Sequence, residues 1–319
     1  MYAFVEPEFN LIEFKKMSPL PFEDSVVTIG NFDGVHLGHQ SVIQYLVGKA
    51  VEKQKPALVV TFFPNPSLYF KQQQNHFYLS GPSEKETLLD QLGVEKVITF
   101  RFNQDFANLS PTEFLLGLKE KLGLRNLFVG EDFALGKDRQ GTIPRIKSIG
   151  QELSFSVQII PKITISNNEV SSTAIRELLD KGDVTQAANL LGRYYSLSGM
   201  VTHGSDRGSR IGLPTANIHY WVHKKLPAVG VYATLVDLNG KTWQGVTNVG
   251  YRPTFENQTN ISIETHILNF DDNIYGEQLE LKFLQKLRDE QKFPDLDTFL
   301  AQIEIDKASA RRIFQNVKA

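Results

Sequence analysis

Between Gly30 and Gln40 the chain reads GNFDGVHLGHQ, which sets His36 and His39 around Gly38. An imidazole can donate to a phosphate oxygen near neutral pH, so a histidine pair suits a step in which charge builds on phosphate. The apolar run Val26-Val27-Thr28-Ile29 precedes the motif and predicts a buried strand. The spacing of Val42, Ile43, Leu46 and Val47 predicts a helix after it. Strand, glycine turn and helix start together can hold a nucleotide phosphate, because helix N-terminal amides attract anions and glycine permits close approach. By position, Gly30, Asn31, Phe32, Asp33 and Gly38 are expected nucleotide contacts. The chemistry indicated is nucleotidyl transfer.

Two further constellations point to phosphate. In Val170-Ser171-Ser172-Thr173-Ala174-Ile175-Arg176 the hydroxyls can cap a helix start, and Arg176 one turn in is better explained by a phosphate partner. Arg176 is therefore an expected phosphate contact, with Ser172 and Thr173 beside it at the helix start. In Gly208-Ser209-Arg210-Ile211-Gly212-Leu213-Pro214-Thr215-Ala216-Asn217 a glycine-rich loop leads into an extended segment. Thr215 and Asn217, two apart, point to one face there and can offer oxygens to a hard cation. A turn between strands would carry the same glycines and proline, so the pattern alone is weak.

These residues need a scaffold. The first half alternates β-rich runs, at Ser25–Ile29, Ala57–Phe62, Lys96–Phe100, Asn126–Val129 and Phe155–Ile160, with helical patterns. Ser83-Glu84-Lys85-Glu86 and Ser110-Pro111-Thr112-Glu113 read as capping boxes at two helix starts. This rhythm predicts a Rossmann-like α/β domain with a parallel sheet covered on both faces. Ligands on such sheets lie at the carboxyl ends of the strands, where GNFDGVHLGHQ and Gly130–Gly136 both fall, so Gly130 and Asp132 join the expected contacts. After a helical pair (Ser171–Lys181, Asp183–Leu191) the pattern changes to strands split by Gly, Pro and Asn. Runs at Ser196–Val201, Val231–Leu238, Thr242–Val249, Ile261–Leu268 and Gln278–Leu284 predict an antiparallel β-barrel or sandwich. Leu296, Phe299, Leu300, Ile303, Ala308 and Ile313 then predict a C-terminal amphipathic helix packed on it. The expected domains are residues 1–185 and 186–319.

Composition narrows the possibilities. At 319 residues there is length for two cores, and a formal net charge of −2 gives no global positive field for nucleic acid or membrane. The absence of cysteine excludes disulfides, zinc–thiolate sites and thiol nucleophiles. Glu6, Glu8 and Glu13 near the start argue against a signal peptide, and no apolar run is long enough to span a bilayer. A soluble cytoplasmic enzyme is the expectation.

The His-x-Gly-His pattern resembles the signature of the cytidylyl- and adenylyltransferase superfamily, and Ser171–Arg176 resembles its SSTxIR element, which implies that Ser172, Thr173 and Arg176 meet the phosphates of the same nucleotide. Pro214-Thr215-Ala216-Asn217 is similar to the PTAN motif of riboflavin kinases. Taken with Gly230-Val231-Tyr232-Ala233, Gly245–Gly250, Arg252-Pro253-Thr254, Glu264–Leu268, Tyr275-Gly276 and Leu287–Phe293, nearly the whole chain resembles the prokaryotic bifunctional riboflavin kinase/FMN adenylyltransferase family. The resemblance implies a kinase barrel that makes FMN from riboflavin and ATP, and an N-terminal domain that joins FMN to a second ATP to give FAD. It implies Mg²⁺ and ATP, with Thr215 and Asn217 on the metal, and Gly204, Gly208, Arg210, Gly212 and Pro214 around the kinase nucleotide. Glu264, a carboxylate interrupting an apolar strand, would be the kinase base, with His36 and His39 catalytic in the other half. Phe62, Pro64, Asn65, Arg288 and Phe293 would meet the flavin. The chain departs from the family at Phe63 and Asn65, where an acidic residue and a histidine are usual, at Ala134, and at Ser209, which moves the loop arginine by one place. Three alternatives stay open: retention of one activity only, another nucleotidyltransferase, and a non-catalytic flavin-binding protein.

Overall fold

The computed structural model describes residues 10–71, 76–161, 164–165, 168–204, 213–252 and 260–316. The chain divides into two compact units, residues 1–74 with 78–172, and residues 75–77 with 173–319.

The first unit is built on five parallel strands: β1 (Ser25–Ile29), β2 (Ala57–Phe63), β3 (Lys96–Arg101), β4 (Leu124–Gly130) and β5 (Ser156–Ile160). They run in the order β3-β2-β1-β4-β5, so β1 is central and every one of its residues is buried. Val27 lies opposite Leu58 on one side and Leu127 on the other. One face of the sheet carries α1 (Leu37–Lys53) and α3 (Pro82–Asp90), which bury Ile43, Leu46, Ala50 and Leu89. The other carries α5 (Pro111–Leu122) and α6 (Ile143–Glu152), whose Phe114, Leu115, Leu118, Ile146 and Ile149 pack with Phe14 and Phe100. Both faces are covered, as the continuous apolar strands require. Sequence order reverses between β1 and β4, which opens the crevice for a ligand at their carboxyl ends.

One helix start differs from expectation. α3 begins at Pro82 with Gly81 as its N-cap, two residues before Ser83. Proline is favoured at the first helical position, and Glu84 then reaches back to accept from the Gly81 amide at 3.3 Å. Lys85 consequently sits within the first turn. The Ser110–Glu113 box forms as read, with Pro111 opening α5.

The second unit holds a closed antiparallel barrel, in the order β10-β11-β12-β9-β8-β13. Its strands are β8 (Tyr195–Thr202), β9 (Ala216–Tyr220), β10 (Gly230–Leu238), β11 (Lys241–Arg252), β12 (Asn260–Ile267) and β13 (Gln278–Arg288); the pair Thr164–Ile165 and Asn168–Glu169 supplies β6 and β7 elsewhere. Helices α7 (Ser172–Asp180, from Thr173) and α8 (Val184–Leu191) group with this unit, Thr185 donating to the Leu284 carbonyl at 3.1 Å. The terminal helix, α9 (Leu296–Phe314; α2 and α4 are the short segments Pro66–Lys71 and Gln104–Ala107), packs Ala310 and Phe314 against Ala233, Leu268 and Leu284. Its docking face lies nearer the C-terminus than expected: Leu296 and Ala308 are exposed, and the buried Asp306 takes their place as an anchor.

Alternation along the barrel strands separates two polar rows. Thr234, Thr247 and Thr265 point inward, fully buried, and their hydroxyls form a chain at 2.8 and 2.9 Å. Asn217, Glu264 and Asn248 occupy the alternate register and share the outer face. Thr247→Val keeps the volume but leaves the hydroxyls of Thr234 and Thr265 without their shared partner. It is expected to lower stability by about 1–3 kcal/mol, measured by urea unfolding.

Candidate active sites

In the first unit the chain leaves β1 and doubles back before starting α1. Phe32, Gly34 and Val35 all have positive φ, at 47°, 78° and 37°. A β-branched valine there is an outlier, and such strain persists only where the surroundings hold it. Asp33 supplies that hold. Its buried carboxylate accepts from the Leu79 amide at 3.0 Å and the Ser80 amide at 3.1 Å. Ser80 Oγ in turn accepts from Gly34 N at 2.9 Å, and Ser172 Oγ donates to the Asp33 carbonyl at 2.9 Å. Gly30 leaves room for the Phe32 ring, which a Cβ would approach to 3.0 Å.

The loop ends at His36, the N-cap of α1. Its Nδ1 accepts from the His39 amide at 3.3 Å, so a neutral His36 carries its proton on Nε2 and can donate from there. The two imidazoles stack, with centroids 3.6 Å apart and planes at 17°. Gly38 lies under the first ring: a Cβ there would stand 3.1 Å from His36 Nδ1 and Cε1. His39 Nδ1 is buried without a hydrogen-bond partner. Burial, then the neighbouring His36 and Lys85, hold its pKa well below the ordinary histidine range. His39 is therefore neutral at physiological pH.

Gly130 ends β4 with open space above its Cα, and Asp132 is exposed, its carbonyl accepting from Arg139 at 3.4 Å. Ser172 belongs with the His36 loop through Asp33. Thr173 and Arg176 belong to the second unit, where Arg176 Nε donates to the Phe77 carbonyl at 2.9 Å and its guanidinium lies 3.8 Å from the Phe77 ring centroid. Phe62 packs among Phe102, Phe106 and Phe114 at the edge of the core. Pro64 follows a cis peptide bond. Asn65 is buried; its Oδ1 accepts from Ser67 N at 3.0 Å and caps the start of α2.

In the second unit Glu264 lies opposite Asn217 on β9 and opposite Asn248 on β11. The three side chains form one outward row of carboxylate and amides. Gly204 makes space for it: a Cβ there would fall 2.1 Å from Asn217 Nδ2. Gly250 does the same at the other end, beneath the Glu290 carboxylate and the Asn248 amide. Pro214 and Thr215 lead into β9, and His266, on the Glu264 face of β12, donates from Nδ1 to the Pro214 carbonyl at 2.8 Å. Gly208, Arg210 and Gly212, with Ser209, lie outside the described residues. Arg288 is held by Asp306 of α9, with Nε 3.0 Å from both carboxylate oxygens and Nη2 at 2.9 Å, and stands 5.7 Å from the Phe293 ring.

Three residues near these sites were not singled out from sequence, Lys85, Asn248 and Glu290, and His266 was read only as a neighbour of Glu264 on the same strand face. An asparagine inside the apolar strand Val246–Val249 was a legible signal for Asn248. Lys85 was masked by its place inside a capping box, and the approach of Glu290 to Gly250 and the bond from His266 to Pro214 depend on pairing distant in the chain.

A parallel sheet with a histidine pair at its switch point, and a barrel with a polar outer row, define an α/β nucleotide-binding unit joined to a β-barrel unit. Residues 19–174 match the family model for FAD synthetase, and residues 191–314 match that for riboflavin kinase. The bifunctional riboflavin kinase/FMN adenylyltransferase of Pseudomonas fluorescens is 37% identical over 289 residues, covering 90% of this chain and 92% of the relative. That of Haemophilus influenzae is 38% identical over 293 residues, covering 91% and 94%. The chain belongs to the bifunctional riboflavin kinase/FMN adenylyltransferase family. A crystal structure described as a macrolide-efflux protein from Streptococcus pneumoniae shares the architecture, with a TM-score of 0.85 at 30% identity and coverage of 96% and 98%. Among the described residues of the present chain no helix is long and apolar enough to cross a membrane.

Gly38→Ala is expected to push the His36 ring aside and weaken the hydrogen bond from the His39 amide. The measurement is the imidazole ¹⁵N spectrum, in which the His36 Nδ1 resonance shifts while the rest of the fold is unchanged.

Proposed function

We propose that this chain makes FAD from riboflavin in two ATP-dependent steps, one in each unit. The observation that carries the reading is family membership along both halves, together with the motif residues set at the carboxyl end of the sheet and on the barrel's outer row. In the barrel unit, Glu264 takes the proton from the primary hydroxyl of riboflavin as that oxygen attacks the γ-phosphorus of ATP, giving FMN and ADP. In the α/β unit, the FMN phosphate attacks the α-phosphorus of a second ATP, and pyrophosphate leaves. His36, donating from Nε2, and the neutral His39 stabilise the charge that builds on the phosphate oxygens. Gly30–Asp33, Gly38, Gly130, Asp132 and Ser172 are proposed to line the nucleotide pocket, with Thr173 and Arg176 as further phosphate contacts. Phe62, Pro64, Asn65, Arg288 and Phe293 are proposed flavin neighbours. For Asn65 and Arg288 the fold already uses part of the side chain, so contact would come from the Asn65 amide nitrogen and from the exposed edge of Arg288.

Mg²⁺ is the expected metal, and the barrel residues fit it. Asn217 offers a neutral oxygen beside the Glu264 carboxylate, Thr215 precedes it by two residues, and the missing Cβ of Gly204 leaves the Asn217 amide a cradle. No group of three or more His, Cys, Asp or Glu able to hold a metal occurs among the described residues. A site of few protein oxygens, completed by nucleotide phosphates, is the arrangement Mg²⁺ favours. Bound there, it would neutralise phosphate charge. We place the enzyme in the cytoplasm, where its ATP and flavin substrates are found.

Incubation of the full-length protein with riboflavin, ATP and Mg²⁺, followed by chromatography, is expected to yield FMN and then FAD. Absence of both flavin products contradicts the proposal. His36→Ala is expected to stop FAD formation, by roughly 10²-fold or more, while FMN still accumulates. Glu264→Ala is expected to slow FMN formation by roughly 10²–10⁴-fold while FMN supplied directly is still converted to FAD. His266→Ala frees the Pro214 carbonyl and is expected to raise the KM for ATP in the kinase step more than it lowers kcat.

A further inference from the structure

Lys85 is a buried cation in an unfavourable place. Only 6% of its surface is exposed, and it occupies the first turn of α3, where the helix dipole disfavours a positive charge. No carboxylate lies within ion-pair distance of its ammonium among the described residues. Asp33 is the nearest acidic influence, and its carboxylate accepts from the amides of Leu79 and Ser80. A buried charge without a counter-charge is costly, so the position demands an explanation beyond folding.

The ammonium closes a small hydrogen-bonded triangle. Nζ donates to the Asn31 carbonyl at 2.9 Å and to Thr61 Oγ1 at 2.9 Å, and the Thr61 hydroxyl donates to the same Asn31 carbonyl at 3.1 Å. These contacts join α3, the end of β2 and the first turn of the His36 loop. They leave one of the three ammonium hydrogens without a protein acceptor. The same charge acts on His39, whose buried Nδ1 also has no partner.

We propose that Lys85 is a positioning residue for adenylyl transfer: it fixes the Asn31 turn and maintains a positive potential at the histidine pair, for which the phosphates of the bound nucleotide are the counter-charge. The inference rests on the adenylyl-transfer reading of this unit. It explains why the neutral His39 is accompanied by a separate fixed cation. His39 donates to the phosphate without having to carry the charge itself, and preorganised dipoles and charge of this kind stabilise a transition state without rearrangement. Burial lowers the Lys85 pKa to about 8, opposed by Asp33, so the cation is present at neutral pH and is lost as the pH rises through that value. The ionisable groups that interact with it are Asp33, from the loop after β1, and His39, from α1. His39, held well below the ordinary histidine range, does not titrate in that alkaline range.

The test uses the full-length protein and two variants, Lys85→Met and Lys85→Arg. In the wild type, kcat/KM for FAD formation from FMN and ATP is expected to fall above about pH 8. Lys85→Arg, charged throughout, is expected to abolish that alkaline limb. Lys85→Met is expected to lower kcat/KM at neutral pH by roughly 10–100-fold and to raise the His39 titration midpoint followed by NMR. An unshifted His39 midpoint in a folded Lys85→Met protein overturns the proposal, as does an alkaline limb that persists in Lys85→Arg. If Lys85→Met does not fold, the Lys85→Arg profile decides alone. A wild type that forms no FAD contradicts the adenylyl-transfer reading instead, and the His39 midpoint still reports on Lys85.

Discussion

The carboxylate of Asp33, accepting two backbone amides from Leu79 and Ser80, is the interaction on which the adenylyl unit's site depends. The turn after β1 contains left-handed Phe32, Gly34 and Val35, and non-glycine residues in such conformations cost of order 1–3 kcal/mol each. Charge-assisted hydrogen bonds to backbone amides are among the stronger ones available and can offset that strain. With the turn held, His36 arrives at the N-cap of α1 in an extended conformation and His39 falls one turn later beneath it. The stacked pair, the tautomer of His36 and the reach of Lys85 to the Asn31 carbonyl all follow from that one anchored reversal.

The barrel solves a different problem with the alternation of its strands. Inward positions carry the linked threonines and the apolar core; outward positions on β9, β12 and β11 align Asn217, Glu264 and Asn248. A one-residue slip in register would bury the carboxylate and expose the threonines. The closed sheet and its threonine chain therefore guard the site's geometry as well as the fold. Two glycines, Gly204 and Gly250, keep the ends of that row open to neighbours a Cβ would displace.

Much of this was legible in the sequence because the signals are local. Apolar runs marked the parallel strands, the His-x-Gly-His spacing marked the helix start, and Gly, Pro and Asn punctuation marked the barrel. What remained hidden depends on partners far along the chain. Asp33 was expected at the nucleotide, yet its carboxylate is engaged by amides 46 and 47 residues away. Asn65 caps α2, and Arg288 meets Asp306 on α9, pairings that no spacing rule announces. Lys85 looked like part of a capping box because Ser83 and Glu86 have the right separation. Pro82 drew the helix start upstream and moved the lysine into a buried turn.

Two separable chemistries share one chain, linked by FMN as product of one site and substrate of the other. Mixing full-length His36→Ala protein with full-length Glu264→Ala protein tests it most directly. Supplied with riboflavin, ATP and Mg²⁺, the mixture is predicted to form FAD although the His36→Ala protein alone stops at FMN and the Glu264→Ala protein alone leaves riboflavin largely unchanged. A mixture that accumulates FMN and never forms FAD would contradict the account.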